Sequence, residues 1–123
     1  MRKCISCGKS EYVIAMHKHH VVSRKQQPAL INCELNLVDI CVKCHTTGPN
    51  AIHNKGYEKL KKLKRDKQAE YYNIFNKEFY TKDEVRELLD IKQEEVDKLL
   101  KHLPPTIYEK EDVIRACMGG KLI

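Results

Sequence analysis

The 123-residue sequence predicts an α+β fold in which a small zinc-stabilised core precedes a long basic helix and a small helical module. Two Cys-x2-Cys pairs predict the zinc-stabilised core, because this is a spacing typical of tetrahedral zinc sites. Short runs of β-forming residues lie beside these pairs, and apolar residues recur at helical spacing from Tyr57 onward. We therefore predict three parts: a core with zinc knuckles, a connecting helix and a helical module, at residues 1–56, 57–79 and 80–123.

Charge is distributed unevenly along the chain. Residues 1–65 contain 13 lysine and arginine residues against 4 acidic residues, whereas residues 66–123 contain 10 against 13. The net charge of +6 is therefore the sum of +9 in the first part and −3 in the second. A surface that binds a polyanion is expected in the first part, with a merely solvated lysine-rich surface as the alternative.

The sequence indicates a cytoplasmic protein without a membrane partner. No apolar run approaches the roughly 20 residues that a transmembrane helix needs, and no hydrophobic signal segment follows the basic residues of Met1–Lys9. Thiols stay reduced in the cytosol, so paired cysteines there indicate metal binding more often than disulfides.

The first half of the chain predicts a thiolate turn and two strands. The turn covers Cys4–Gly8, whose final glycine can adopt a positive φ. β-Forming residues at Tyr12–Met16 predict the first strand, which His17–Val22 continues or repeats, and Leu37–Cys41 predicts the second strand. Between them we expect a polar, basic loop at Ser23–Pro28 and an irregular segment at Leu30–Asn36.

Helical patterns dominate the second half. Ala51–His53 is expected to begin a helix, and the apolar periodicity from Tyr57 continues to about Asn76. Thr81 and Glu84 have the capping-box spacing that starts a further helix. The rest of the module is predicted to contain a second helix, a short strand and a last helical turn, at 92–102, 106–108 and 110–115.

The two cysteine pairs are predicted to bind one structural zinc ion, with the ligands Cys4, Cys7, Cys41 and Cys44. A site of four thiolates leaves no coordination position of the zinc ion open, so it is structural. It would join the chain start to the end of the second strand. The 33 residues between the pairs exceed a compact zinc ribbon, so a folded segment must lie between them. The two other cysteines lack partners at useful spacing and are predicted to be small buried residues; they are Cys33 and Cys117.

The histidines form a second group. His45 directly follows a predicted zinc ligand, so its side chain should point away from the zinc and serve a second site. His19 and His20 are neighbours in the predicted strand and project to opposite faces, so one can bind a metal while the other acts as a base beside it. His17 shares the face of His19, and it is either an auxiliary ligand, a phosphate contact or an exposed histidine without a role.

This combination of residues resembles the HNH endonucleases, of the type whose ββα-metal motif is bracketed by two cysteine pairs. The residues that carry the resemblance are His19-His20, Asn36-Leu37, Cys41-Val42-Lys43-Cys44-His45 and His53. The resemblance extends over the chain, because small phage-encoded HNH proteins also have a long basic helix and a tail with a run like Met118-Gly119-Gly120-Lys121. It implies an HNH nuclease core in residues 1–56 and metal-dependent hydrolysis of DNA in a phage or its bacterial host.

The resemblance also implies a role for individual residues. His20 matches the general base that activates water, and Asn36 matches the residue that either holds the loop and the base in place or ligates the metal. The ligands of the catalytic ion are matched by His19, His45 and His53. Seven residues separate the last two, which is more than one helical turn, so these two must meet across a turn.

The chemistry of histidine agrees with that assignment. Phosphodiester hydrolysis needs an in-line water, a base and stabilisation of the departing 3′-oxyanion. Histidine has an ordinary pKa of roughly 6.5, so it is largely neutral at pH 7 and can accept a proton. A divalent ion can stabilise the leaving oxygen, and imidazole ligands favour Mn²⁺, Ni²⁺, Co²⁺ or Zn²⁺ over Mg²⁺.

Six basic residues are predicted to contact the DNA backbone: Arg24, Lys25, Lys61, Lys62, Lys64 and Arg65. Each phosphate that they neutralise would add a salt-dependent contribution to affinity. The helical module resembles a helix-turn-helix with a short wing, but its second helix is nearly neutral. A role in packing or in protein interaction is therefore as well supported as a role in DNA recognition.

Other functions stay open at this point. A non-catalytic zinc-ribbon protein that binds DNA or regulates through the helical module would not need the paired base and ligand of His19-His20. A structural phage-assembly factor would leave the histidines dispensable. The oligomeric state is also open: double-strand cleavage by a protein with one active site requires a dimer or two visits, and a phage protein partner is a further option.

Overall fold

The computed structural model describes residues 1–48, 51, 57–104 and 106–123, and of Tyr57 only the backbone. Within these residues, helices combine with two small antiparallel sheets, so the prediction of an α+β fold is confirmed.

The first sheet pairs β1, Met16–His20, with β2, Leu37–Cys41. β1 is shorter than the predicted strand over Tyr12–Val22. The chain before it turns instead, because the Ile14 amide donates a hydrogen bond to the Ser10 carbonyl at 3.3 Å. The β-forming side chains before β1 therefore lie in a turn and not in the sheet.

The segment between β1 and β2 folds back through two short 3₁₀ turns, Pro28–Leu30 and Glu34–Asn36. Turns of three residues have no side-chain periodicity, which explains why the sequence showed no regular pattern here. The Val21 amide donates to the Asn36 carbonyl at 2.8 Å, so the segment returns to the end of β1 before β2 begins.

A π-helical turn at Lys43–Thr47 follows β2 and carries the last cysteine and the histidine after it. Gly48 closes this turn, and its amide donates to the Lys43 carbonyl at 2.8 Å. A Cβ atom at Gly48 would lie 2.5 Å from that carbonyl oxygen, so the close approach requires glycine.

The long helix α1 spans Tyr57–Ile74 and ends two residues before the predicted end at Asn76. Ala51 lies outside any helix, and the remainder of the predicted start lies outside the described residues. Lys67 is buried on this helix, and its Nζ pairs with Glu70 at 2.8 Å.

The second sheet and three helices complete the fold: β3 at Phe79–Tyr80, α2 at Lys82–Leu89, α3 at Gln93–Leu100, β4 at Tyr108–Glu109 and α4 at Lys110–Cys117. The predicted capping box is confirmed, since Thr81 Oγ1 accepts from the Glu84 amide at 3.2 Å and Glu84 Oε1 accepts from the Thr81 amide at 3.0 Å. Asp90, in the left-handed region at φ 50°, ends α2 and begins the short turn to α3.

Most buried side chains form one hydrophobic core that joins the inter-strand segment to the helical module. Leu30 and Cys33 are fully buried in this core together with side chains of all four α-helices. Gln27 Nε2 also donates to the Ala116 carbonyl of α4 at 2.7 Å. The core therefore crosses the predicted boundaries at 56/57 and 79/80, and the helical module supports the segment that follows β1.

A smaller cluster lies at the cysteine end of the first sheet. Ile40 is fully buried there beside two of the paired cysteines, and Leu60 and Leu63 of α1 pack against it. Helix α1 thus contacts both clusters. Cys33 and Cys117 are buried outside this cluster, as predicted.

Among the described residues, no helix combines the length and the apolar composition that a bilayer span requires.

Candidate functional site

Four thiol groups converge where the first knuckle meets the end of β2; they belong to Cys4, Cys7, Cys41 and Cys44. Their Sγ atoms all lie within 4.8 Å of one another, and those of Cys7 and Cys41 are 3.7 Å apart. A tetrahedral ion with Zn–S bonds of about 2.3 Å requires sulfur–sulfur distances of roughly 3.8 Å. This cysteine cluster can therefore bind a zinc ion.

The two knuckles share one type of hydrogen bond. The Cys7 amide donates to the Sγ of Cys4 at 3.4 Å. The Cys44 amide donates to the Sγ of Cys41 at the same distance. Such N–H groups stabilise negative charge on sulfur, and the φ of +79° at Gly8 allows the first knuckle to close as predicted. The spacing of the cysteines therefore gives the same N–H···S hydrogen bond in both knuckles.

The thiols of the cysteine cluster differ in their affinity for protons. Burial acts to raise the pKa of Cys4, but backbone hydrogen bonds, chiefly at Cys41 and Cys7, outweigh it and lower the pKa to about 6. Burial raises the pKa of Cys44 to about 12, and the hydrogen bond with the Cys41 thiol acts in the same direction. One thiolate is thus favoured, while burial opposes a second at Cys44. A bound divalent cation would favour the deprotonated form of all four thiols.

Three histidine rings meet on one face of β1. His45 lies between the other two: its Nε2 is 3.3 Å from His19 Nδ1, and its Nδ1 is 2.9 Å from His17 Nδ1. The ring centroids are 5.1 Å apart in both pairs, with the rings close to edge-on. Alternation along the strand explains why His17 and His19 share this face.

His20 projects from the other face of β1. Its Nε2 lies 2.9 Å from the carbonyl oxygen of Ile31 in the inter-strand segment. Because a carbonyl only accepts hydrogen bonds, Nε2 must carry the hydrogen, and Nδ1 is the unprotonated nitrogen of the neutral ring. The inter-strand segment therefore sets both the orientation and the tautomer of His20.

Asn36 is fully buried and its amide bridges the two ends of that segment. Its Oδ1 accepts from the Val22 amide at 2.9 Å. Its Nδ2 donates to the Val22 carbonyl at 2.9 Å and to the Leu30 carbonyl at 3.3 Å. These bonds hold the backbone next to Ile31 in place.

Replacing Asn36 by alanine is expected to lower the free energy of unfolding by about 2–4 kcal/mol, because buried backbone groups of Val22 and Leu30 lose their partners. Urea denaturation followed by circular dichroism measures this change. Asn32→Ala, at an exposed position of the same segment, is the matched control and should change stability by less than about 0.5 kcal/mol. Equal effects of the two substitutions would contradict the bridging role.

One hydrogen bond joins the turn after β1, which carries Arg24 and Lys25, to the lysine-rich helix α1. The Nζ of Lys64 on α1 is 3.4 Å from the Oε1 of Gln26, in the turn after β1. Lys62 is exposed but pairs with Asp66 at 2.8 Å. All six residues predicted to contact DNA are exposed or half-buried: Arg24, Lys25, Lys61, Lys62, Lys64 and Arg65. The turn and the helix thus meet at this hydrogen bond, and the six predicted residues are together called the basic surface.

One predicted ligand is left untested by the structure, and two observed contacts were not predicted from the sequence. His53 lies outside the described residues, so its role as a metal ligand stays a prediction. The contact of His17 with His45 was not predicted, although the position of His17 two residues before His19 was a signal for it. The contact of Gln26 with Lys64 had no local signal, because 38 residues separate them.

No protein-family model, curated protein or solved structure matches this chain. The fold and the site themselves define a mixed α+β protein with a cysteine cluster that can bind zinc.

Proposed function

We propose that the chain is a metal-dependent DNA endonuclease of the HNH class, with a structural zinc ion in the cysteine cluster. The single observation that carries this proposal is the division of histidines between the two faces of β1. His19 meets His45 on one face, while His20 is oriented by a backbone carbonyl on the other. A protein that only bound DNA would have no need of this arrangement.

His20 is the proposed general base. Its unprotonated Nδ1 takes a proton from water as the water oxygen bonds to phosphorus and the bond to the 3′-oxygen breaks. The 3′-oxyanion then takes a proton from solvent, which leaves a 5′-phosphate and a 3′-hydroxyl. Asn36 acts here as a positioning residue, because it holds the backbone next to the carbonyl that orients His20.

The nitrogens of His19 and His45 suit a shared divalent ion. Their separation of 3.3 Å fits two imidazole ligands on one tetrahedral ion, because bonds of about 2.0–2.1 Å place such nitrogens roughly 3.3–3.4 Å apart. His53 is the proposed third ligand. When bound, the ion would supply the Lewis acidity that stabilises the leaving oxygen.

The basic surface supports DNA as the substrate. The contact of Gln26 with Lys64 brings the turn that carries Arg24 and Lys25 beside the lysine-rich face of α1. The turn at residues 24–26 lies a few residues after His20 in the chain, so phosphate contacts there would be near the proposed base in sequence. The helical module instead buries one side of α3 in the main core, which supports a structural role for that helix.

Plasmid cleavage tests the proposal. Zinc-loaded protein is incubated with supercoiled plasmid, without added ion or with Mg²⁺, Mn²⁺, Ni²⁺, Co²⁺ or Zn²⁺. We expect nicked or linear product with at least one ion for the wild type, and none above background for His45→Ala purified in the same way. Equal cleavage by both proteins would indicate a contaminating nuclease or a wrong site.

A gel-shift assay on the same samples separates the alternative. If the wild type is inert with every ion yet still retards DNA, the chain is a non-catalytic zinc-ribbon DNA-binding protein and the endonuclease proposal fails.

A further inference from the structure

His17 contacts His45, which lies between the other two histidine rings. The function proposed above gives His17 no role. It lies on β1 two residues before His19, and the strand directs both rings to the same face. Its Nδ1 lies 2.9 Å from the Nδ1 of His45, on the side of that ring opposite to the nitrogen that faces His19. The rings meet edge-on, with an angle of 74° between their planes. At this distance the contact is a hydrogen bond between ring nitrogens.

The hydrogen bond has consequences for the tautomer of His45. A neutral imidazole has one N–H donor and one acceptor nitrogen. If Nε2 of His45 faces an ion, Nδ1 carries the hydrogen and donates it to His17. His17 then accepts through its own Nδ1 and carries its hydrogen on Nε2. In a metal-binding histidine, a hydrogen-bond partner on the ring nitrogen that does not bind the metal orients the ring and sets its tautomer.

We propose that His17 is a positioning residue that holds His45 in the orientation and tautomer in which Nε2 faces His19. The ion in this proposal rests on the proposed function, whereas the hydrogen bond itself requires no ion. A role for His17 as a direct ligand is disfavoured, because its Nδ1 is directed at the nitrogen of His45 that faces away from His19.

Nuclear magnetic resonance of the zinc-loaded protein without added ion tests the hydrogen bond directly. Nitrogen–proton correlation spectra report which ring nitrogen of His45 is protonated. We expect the Nδ1–H tautomer in the wild type and a loss of this preference in His17→Ala, whereas the Nε2–H tautomer in the wild type would make His17 the donor and overturn the proposal. His17→Asn should restore it, since the asparagine oxygen lies close to the place of Nδ1 and accepts a hydrogen bond. An unchanged tautomer of His45 in His17→Ala would overturn the proposal.

Calorimetric titration with Mn²⁺ or Ni²⁺ tests the consequence for the ion. Loss of an outer partner of a metal-binding histidine typically weakens affinity by about 10–100-fold. We expect a loss of this size in His17→Ala, recovery of most of the affinity in His17→Asn, and no change in His102→Ala, an exposed histidine on a different element. A loss as large as that in His19→Ala without recovery in His17→Asn would make His17 a direct ligand and overturn the proposal.

The two measurements also separate this proposal from the function on which it rests. If the wild type binds neither ion and cuts no DNA, the endonuclease proposal fails, and the spectra of the ion-free protein still decide whether His17 sets the tautomer of His45.

Discussion

Replacing His20 by alanine is expected to lower the rate of DNA cleavage by about 10²–10⁴-fold, which is the usual contribution of a general base. The physical reason is the orientation of the ring: the Ile31 carbonyl holds Nε2 as a donor, which leaves Nδ1 to accept a proton from water. Initial rates of plasmid cleavage, with the divalent ion that proves most active, measure the effect.

Two controls distinguish chemistry from folding in this experiment. His20→Ala should keep its zinc, because the proposed zinc ligands are the four paired cysteines, and it should bind DNA in a gel shift through the unchanged basic surface. His102→Ala should cut at the wild-type rate, since His102 is exposed beyond the end of α3. If His20→Ala cut DNA at the wild-type rate, another group would have to be the base.

Replacing Cys41 by serine is expected to weaken zinc binding by about 10²–10³-fold, if a quarter of the roughly 10–16 kcal/mol of a structural zinc site is lost with one ligand. Cleavage should be abolished as well, because Cys41 ends β2 and the turn after it carries His45. The helical signal in the circular dichroism spectrum should be largely retained, since none of the four paired cysteines belongs to the main hydrophobic core. Zinc retention against a competing chelator is the primary measurement.

Cys33→Ser is the matched control for this substitution. Cys33 is equally buried, but it lies in the main core, where its thiol donates to the Leu89 carbonyl at 3.3 Å. A serine hydroxyl can make the same hydrogen bond, so zinc should be retained in full. Loss of zinc from Cys33→Ser and not from Cys41→Ser would mean that the ligand set is wrong.

Local rules predicted much of the fold because they act within a few residues. The capping box at Thr81 and the helical period of α1 depend on neighbours three or four positions apart. The first strand was predicted too long because β-forming residues also occur in turns. In a turn, backbone hydrogen bonds determine the conformation more than the side chains do. The turn at Ser10 that removes Ile14 from the strand is a contact of this kind.

The sequence by itself determined which cysteines can share a zinc ion and that His19 and His20 face opposite ways, because knuckle spacing and strand alternation follow from chain geometry. Only the tertiary structure decided what those side chains contact. Asn36 reaches Val22 across 14 residues, and Gln27 reaches Ala116 across 89. Such contacts result from packing of a shared core, which orders the inter-strand segment and leaves no periodic trace in the sequence.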